Sequence, residues 1–451
     1  MKKITRKILS IVLVVLITVS ISACGKSTAT GGQGSGNKPN TNQGNVNEET
    51  WADMLNTLPE NASGRTITVY SWNEKEATTG AVAAIEKFEK DTGVKVNWVT
   101  GSYAGYTSEI SALINGKNSP DVIRLKTLDP AILNLLQPVS ASGYDFSGDV
   151  WDKQVLDYYT VNGQTFGLSV KGTLLQQPTV LYYNKSLVSQ FDLDDPYALW
   201  KKGKWTWKAF TEYCEIFLEE AGDGYHAWSP RNGADFLETS GFAYAVFDGT
   251  KYVSKMNDSK LIAKLKETCN VYKSGITTGS FWNQAGFNAG KTLFFTDSII
   301  GARKTHFYYS DMKTTGKLGV VPMPLNDNGE TRYQILSECE AYAIPKGAKN
   351  ADLVPYFIRC YLEPANYDEK NFFADRTMLE VFNWCMAQPN RFVGGVDASI
   401  LTADTGITRD NLMKSFIGKS ADQVESVLKT HAAQVENAVK QANARLDKVG
   451  K

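Results

Sequence analysis

The stretch from Thr66 to Thr100, TITVYSWNEKEATTGAVAAIEKFEKDTGVKVNWVT, constrains the fold more than any other part of the chain. Ile67, Val69 and Tyr70 are β-formers on an alternating pattern that ends at Ser71-Trp72-Asn73-Glu74. Thr78-Thr79-Gly80 offers a helix cap, and Val82, Ile85, Phe88 and Glu89 follow with apolar residues at helical spacing. Gly93 is the expected C-cap, after which VKVNWV resumes a period of two. Strand, helix and strand in this order predict a right-handed βαβ unit and a parallel sheet. Ligands bind at the carboxyl ends of such strands. Trp72, Asn73 and Glu74 stand at that end.

The N-terminus reads as an address. Lys2, Lys3, Arg6 and Lys7 precede an apolar run from Ile8 to Ile21, too short to span a bilayer comfortably, which ends in Ser22-Ala23-Cys24. The ISAC sequence resembles the lipobox of bacterial lipoproteins, which implies a signal peptide over 1–23 and lipidation of Cys24 after cleavage. An ordinary small-residue cut or an uncleaved anchor is the alternative. Residues 24–50 are Gly, Ser, Asn, Thr and Gln with almost nothing apolar, so they form a leash rather than a core. As a random coil the leash spans on the order of 25–30 Å.

About 400 residues remain, enough for two lobes. The 48 basic and 48 acidic residues balance, and no basic patch recommends nucleic acid as a partner. With 10 Trp, 21 Tyr and 20 Phe the chain has aromatics to spare for a sugar-stacking cleft. Beyond Cys24 the five cysteines, Cys214, Cys269, Cys339, Cys360 and Cys385, show no CxxC and no metal spacing. They read as buried apolar residues, with no disulfide framework and no cofactor.

Further along, Ser119-Pro120-Asp121-Val122-Ile123 is followed by the turn sequence Asn162-Gly163-Gln164-Thr165-Phe166-Gly167-Leu168. Then come Val180-Leu181-Tyr182-Tyr183-Asn184-Lys185 and Trp205-Thr206-Trp207-Lys208, where Thr206 is a natural N-cap. GKLGVVPMP and YAIPKGAKNADLVPYFI complete the series. Their order and spacing over about 300 residues resemble the extracellular solute-binding proteins of ABC transporters, in particular the sugar and oligosaccharide binders that include maltose-binding proteins. The resemblance implies an α/β, two-lobed periplasmic-binding-protein fold of type II, each lobe a mixed sheet flanked by helices, joined by a multi-segment hinge. It implies a monomer that takes a sugar from solution and passes it to a membrane permease, touching the membrane through its lipid anchor only. Pro178-Thr179-Val180 is the expected first crossing, with returns through Leu318–Pro322 and Glu340–Pro345. This assigns 65–178 plus 321–339 to one lobe and 181–318 plus 342–451 to the other.

Candidate ligand residues follow from chemistry and from this likeness. Trp72 is a stacking plate, or else a core residue under the following helix. Asn73 and Glu74 offer an amide and a carboxylate for vicinal hydroxyls, unless they are merely solvated. Tyr103 lies in the next loop, Arg124 closes the strand after Asp121, and Lys171 and Gln177 precede the first crossing. Trp228 and Trp282 sit in loop-rich contexts of the second lobe. Thr296 and Asp297 end a segment that resembles a cleft-lining one of the family, and Glu338 flanks the last crossing. Asp121 is expected to buttress its lobe, and Trp384 to be core. Two rivals remain. Adjacent tyrosines such as Tyr182-Tyr183 bind ferric iron in another branch of the superfamily, although successive strand residues point to opposite faces. Carboxylates near a sugar also suit a glycoside hydrolase. The sequence nonetheless contains no GxSxG, Walker A or HExxH motif.

Overall fold

The computed structural model describes residues 50–75, 80–231, 235–278, 281–327, 333–388, 391–393 and 399–449, with the backbone alone for 238–239, 333–338, 391–393 and 403. The signal segment, the leash through residue 49, Cys24, Thr78 and Thr79 lie outside the described residues.

The opening unit forms where its pattern places it. Strand β1 (Thr66–Ser71) leads to helix α1 (Ala81–Thr92) and strand β2 (Lys95–Thr100). Gly93 closes α1 at φ 71°, a left-handed conformation that glycine takes without a Cβ clash, and its N–H donates to the Glu89 carbonyl. Ala84, Ile85 and Phe88 form the buried face of α1, as the helical spacing requires. Helix α2 (Tyr106–Asn115) and strand β3 (Val122–Leu125) follow, and β1 pairs in parallel with both β2 and β3. The short strand β4 (Leu136–Gln137) completes this part of the chain. Asp121 holds the register: its carboxylate accepts the Thr68 N–H at 2.8 Å and the N–H groups of Lys349 and Asn350 at 2.9 and 2.8 Å.

The chain then turns through a two-stranded hairpin, where Asn162 and Gly163 both take positive φ, 52° and 76°. It enters β5 (Gln177–Asn184), buried at every residue. Such an all-buried strand belongs in the middle of a sheet. Helix α3 (Trp207–Ala221) begins at Thr206, whose hydroxyl accepts the Ala209 N–H. The strands β6 (His226–Ser229), β7 (Thr292–Ser298), β8 (Leu318–Pro322) and β9 (Tyr333–Glu338) follow. One edge of β5 pairs antiparallel with β7, which pairs in parallel with β6. The other edge takes β8 and then β9, and β9 carries β11 (Arg391–Val393).

Strand β10 (Ala341–Pro345) lies between β3 and β4, giving the first sheet the order β2-β1-β3-β10-β4. The strand pairing therefore differs from the expected partition of the chain. Residues 321–322 and 333–338 pair in the second sheet, whereas 341–345 pair in the first. Pro178-Thr179-Val180 likewise belongs to β5 rather than preceding it. The long β5 accepts β8 and β9 end to end along one edge, so the chain stays in the second sheet until Cys339 and Glu340. Helix α4 (Val354–Leu362) covers α1, with Phe88 edge-on to Phe357 at 5.4 Å. The last helix, α5 (Val424–Leu446), reaches back to the first sheet's helices, where the Arg445 carbonyl accepts the Asn134 side-chain amide. All five cysteines beyond Cys24 are buried, and none forms a disulfide among the described residues.

Candidate functional site

A cavity of about 710 Å³ opens between the end of β3 and the end of β7. Arg124 comes from β3, with Tyr103, Tyr106 and Lys126 from the loops and helix beside the first sheet, and the second sheet contributes Gln177, Asp297 and Ser298. Arg231, Trp282 and Tyr308 come from loops beside the second sheet, and Arg409 and Asp410 from near the C-terminus.

The floor is a buried polar cluster. Arg124 forms an ion pair with Glu340, the residue on which the chain passes from β9 to β10. Gln177 donates its side-chain amide to the same carboxylate. Gln176 clamps the Glu340 backbone twice, donating to its carbonyl at 2.9 Å and accepting its N–H at 3.1 Å. Arg303 lies nearby and donates to the carbonyls of Leu174 and Leu175. Burial pushes its guanidinium down to about 10, against the opposing pull of Glu340. Each of these charges is removed from water, and each is held by a counter-charge or a carbonyl.

Aromatic rings form the wall above. Tyr106 donates its hydroxyl to the Tyr70 carbonyl at 2.8 Å and accepts the Arg124 N–H at 3.0 Å. Trp72 packs edge-on against Tyr106 at 4.9 Å, with the Arg124 guanidinium 4.2 Å from its ring centre. Tyr103, 58% exposed, stands at the open side. On the opposite wall Trp282 is 42% exposed and holds φ at 55°. A bulky residue persists in that region only where its surroundings over-determine it. Here the Trp282 N–H donates to the Pro230 carbonyl, its own carbonyl accepts the Gln284 N–H, and Asn283 N–H donates to Ser229 Oγ. Asp297 beside it accepts the Ser298 N–H at 2.7 Å, and burial raises its carboxyl to about 6 despite Arg231.

Of the residues singled out in the sequence, Tyr103, Arg124, Gln177, Trp282 and Asp297 come together around this cavity. Trp72 lies behind its lining, buried against Tyr106 and Arg124. Asn73 and Glu74 turn away: the Asn73 carbonyl accepts the Trp98 indole N–H, and the Glu74 carboxylate accepts the Thr100 hydroxyl. Lys171 is exposed and does not line the cavity. Trp228 and Thr296 are fully buried partners, the indole N–H donating to Thr296 Oγ1 at 2.8 Å. They are core because Trp228 faces Phe294 across the β6–β7 ladder inside an aromatic cluster with Trp207 and Phe210. The Glu338 side chain lies outside what the structure describes. Tyr182 and Tyr183 are buried and donate to different acceptors, the Ser298 carbonyl and Asp195.

Lys126, Arg231, Tyr308 and Arg409 escaped the sequence reading. Lys126 had only its place, in the loop that follows β3, two residues after Arg124. Arg231, Tyr308 and Arg409 had no signal, because loops bring them in from distant parts of the chain.

Two sheets around a cavity built from charged, amide and aromatic side chains define a binding protein of the two-lobed, type II periplasmic class. The chain belongs to the family of bacterial extracellular solute-binding proteins, whose profile matches residues 83–371. Similar solved structures include the GacH receptor of Streptomyces glaucescens, determined unliganded and with acarbose, at 18% identity and a TM-score of 0.55 over 85% of this chain and 98% of that one. The galacto-N-biose-/lacto-N-biose I-binding protein of the ABC transporter from Bifidobacterium longum, in complex with lacto-N-biose, matches at 16% identity and a TM-score of 0.58, covering 84% and 99%. The sugar-binding protein MalE from Xanthomonas citri matches at 14% identity and a TM-score of 0.57, covering 85% and 98%. No match was found among curated proteins. No helix among the described residues is long and apolar enough to cross a membrane.

Proposed function

We propose that this chain is the lipid-anchored, extracytoplasmic binding component of an ABC importer, holding a mono- or oligosaccharide in the cavity and delivering it to the permease. The observation that carries this reading is one juxtaposition. Exposed aromatic faces, Tyr103 and Trp282, stand in the same cavity as the guanidinium of Arg124, the amide of Gln177 and the carboxylate of Asp297. Apolar sugar faces stack on aromatic rings, and hydroxyls pair with amides and charged groups. The solved neighbours that carry acarbose and lacto-N-biose support the choice of ligand class. In this reading the two sheets are the cores of two lobes, and the segments around 168–176 and 339–340 are the hinge. Residues 1–23 are the signal peptide, and residues 24–50, lipidated at Cys24, are the tether.

Calorimetry and thermal shift against a panel of mono- and oligosaccharides test the proposal. A ligand of the folded state raises Tm in a saturable way by mass action. A panel that produces neither heat nor shift contradicts sugar binding. Release of reducing ends on prolonged incubation contradicts binding without catalysis and revives the hydrolase reading. For the anchor, Cys24→Ala is expected to abolish palmitate labelling and release the protein from membranes. A variant that stays membrane-bound beside an unlabelled wild type contradicts lipidation.

A further inference from the structure

The cavity wall is more cationic than the chain that builds it. The sequence as a whole carries 48 basic and 48 acidic residues. Arg124, Lys126, Arg231 and Arg409 nevertheless line one cavity, against Asp129, Asp297 and Asp410. Directly behind the wall stand Arg303 and Lys313, whose ammonium donates to the carbonyls of Arg303 and His306. The lining itself thus carries four Lys/Arg cations against three carboxylates, and Asp235 and Glu109 stand behind it with Glu340 on the acidic side. The imbalance is felt locally: burial first, then Lys313 and Arg303, push the His306 imidazole down to about 4, leaving it neutral at pH 7.

Lys126 occupies a particular place in this field. Its ammonium donates to the Tyr103 carbonyl at 3.0 Å and lies 3.1 Å from the centre of the Tyr103 ring. The centres of Trp72 and Tyr106 are 4.8 and 5.9 Å away. The ammonium therefore sits on the aromatic face that a pyranose would use for stacking. A neutral sugar that displaces it breaks a cation–π contact and supplies no charge in return. A sugar ring bearing a carboxylate can stack beside Lys126 and accept a charge-assisted hydrogen bond from it.

We propose that the ligand is an acidic oligosaccharide, with carboxylates on its pyranose rings, and that Lys126 is the residue that selects it over its neutral counterpart. The proposal rests on the sugar-binding reading above.

The test is calorimetry with matched pairs of di- to tetrasaccharides: galacturonate against galactose, glucuronate against glucose and mannuronate against mannose, each pair in the same linkage. At least one uronate is expected to bind about tenfold more tightly than its neutral partner, the ratio that one charge-assisted hydrogen bond supplies. The excess should shrink as salt rises from about 20 to about 200 mM, because screening weakens partly exposed pairs. Lys126→Gln should erase the excess and Lys126→Arg should keep it, with ligand-free Tm unchanged in both. Neutral sugars that bind as tightly as uronates, or a Lys126→Gln protein that keeps the preference, would overturn the acidic assignment and leave sugar binding standing. Binding of no member of any pair overturns both.

Discussion

Arg124, in the last strand pairing of the first sheet's parallel half, and Glu340, on the passage from the second sheet to the first, form a buried ion pair beneath the cavity. The pair ties the backbone that passes between the two sheets to the cavity floor, since Gln176 holds the Glu340 backbone while Gln177 and Arg124 hold its carboxylate. Removing one partner strands the other in a dry environment. Glu340→Ala is therefore expected to cost about 3–5 kcal/mol in chemical denaturation, because it leaves both Arg124 and Arg303 without their nearest carboxylate. The double variant Arg124→Met, Glu340→Leu should lose less than the sum of the two single changes. Additive losses would show that the two charges are not coupled.

Two titrating groups beside the cavity act in opposite senses. Asp297 is raised to about 6 by burial, so the folded state binds more protons than the unfolded chain between its ordinary value and 6. Its contribution is present at low pH and lost as pH rises through 6. His306 is lowered to about 4, so between 4 and its ordinary value the unfolded chain binds more protons, and its contribution grows as pH rises. Relative to wild type, Asp297→Asn should gain stability on going from pH 4 to 7, and His306→Gln should lose it. Urea midpoints across that range check both signs. Parallel curves for variant and wild type would refute either assignment.

Trp72 marks where structure and function divide. Its ring is buried against Tyr106 and Arg124 and does not itself line the cavity. Trp72→Ala should lower the ligand-free Tm by several degrees, in keeping with about 3–5 kcal/mol for truncating a buried aromatic. Any loss of affinity would follow from the displaced Tyr103, Tyr106 and Lys126. A variant of wild-type stability that fails to bind would make Trp72 a direct contact instead.

The first sheet was legible because its signals are local: alternating β-formers in β1 and β2, one apolar stripe on α1, and Gly93 where the backbone needs positive φ. Thr206 and the Asn162-Gly163 turn were legible for the same reason. The return from the second sheet to the first was not, since Val320-Val321 and Ala341–Ile344 are similar apolar strands. Only the pairing partner distinguishes them, and β5 lies well over a hundred residues earlier. Trp228 misled for a related reason: a Trp among Gly and His reads like a loop plate until the parallel ladder with β7 buries it. Tyr103 follows the end of β2, and Arg124 and Asp297 are the next-to-last residues of β3 and β7, at the ends where chemistry is exposed by rule. Arg231 and Arg409 reach the cavity through long-range folding alone.

Ligand should draw the two lobes together, because hinge closure is how a cleft between lobes excludes water from a bound solute. X-ray scattering at saturating oligosaccharide is expected to give a smaller radius of gyration than the free protein. An unchanged radius would refute the closing clamp.

Trp282 tests the central claim, that this cavity holds the solute, most directly. It is half-exposed and strained at φ 55°, so replacing it with glycine removes an aromatic plate and relieves the backbone together. Calorimetry on wild type and Trp282→Gly, with the best-binding oligosaccharide of the panel, is the measurement. We predict an affinity loss of roughly thirty- to a thousandfold, from about 2–4 kcal/mol of lost stacking, with a ligand-free Tm equal to or above that of wild type. Wild-type affinity in Trp282→Gly would contradict the placement of the solute in this cavity.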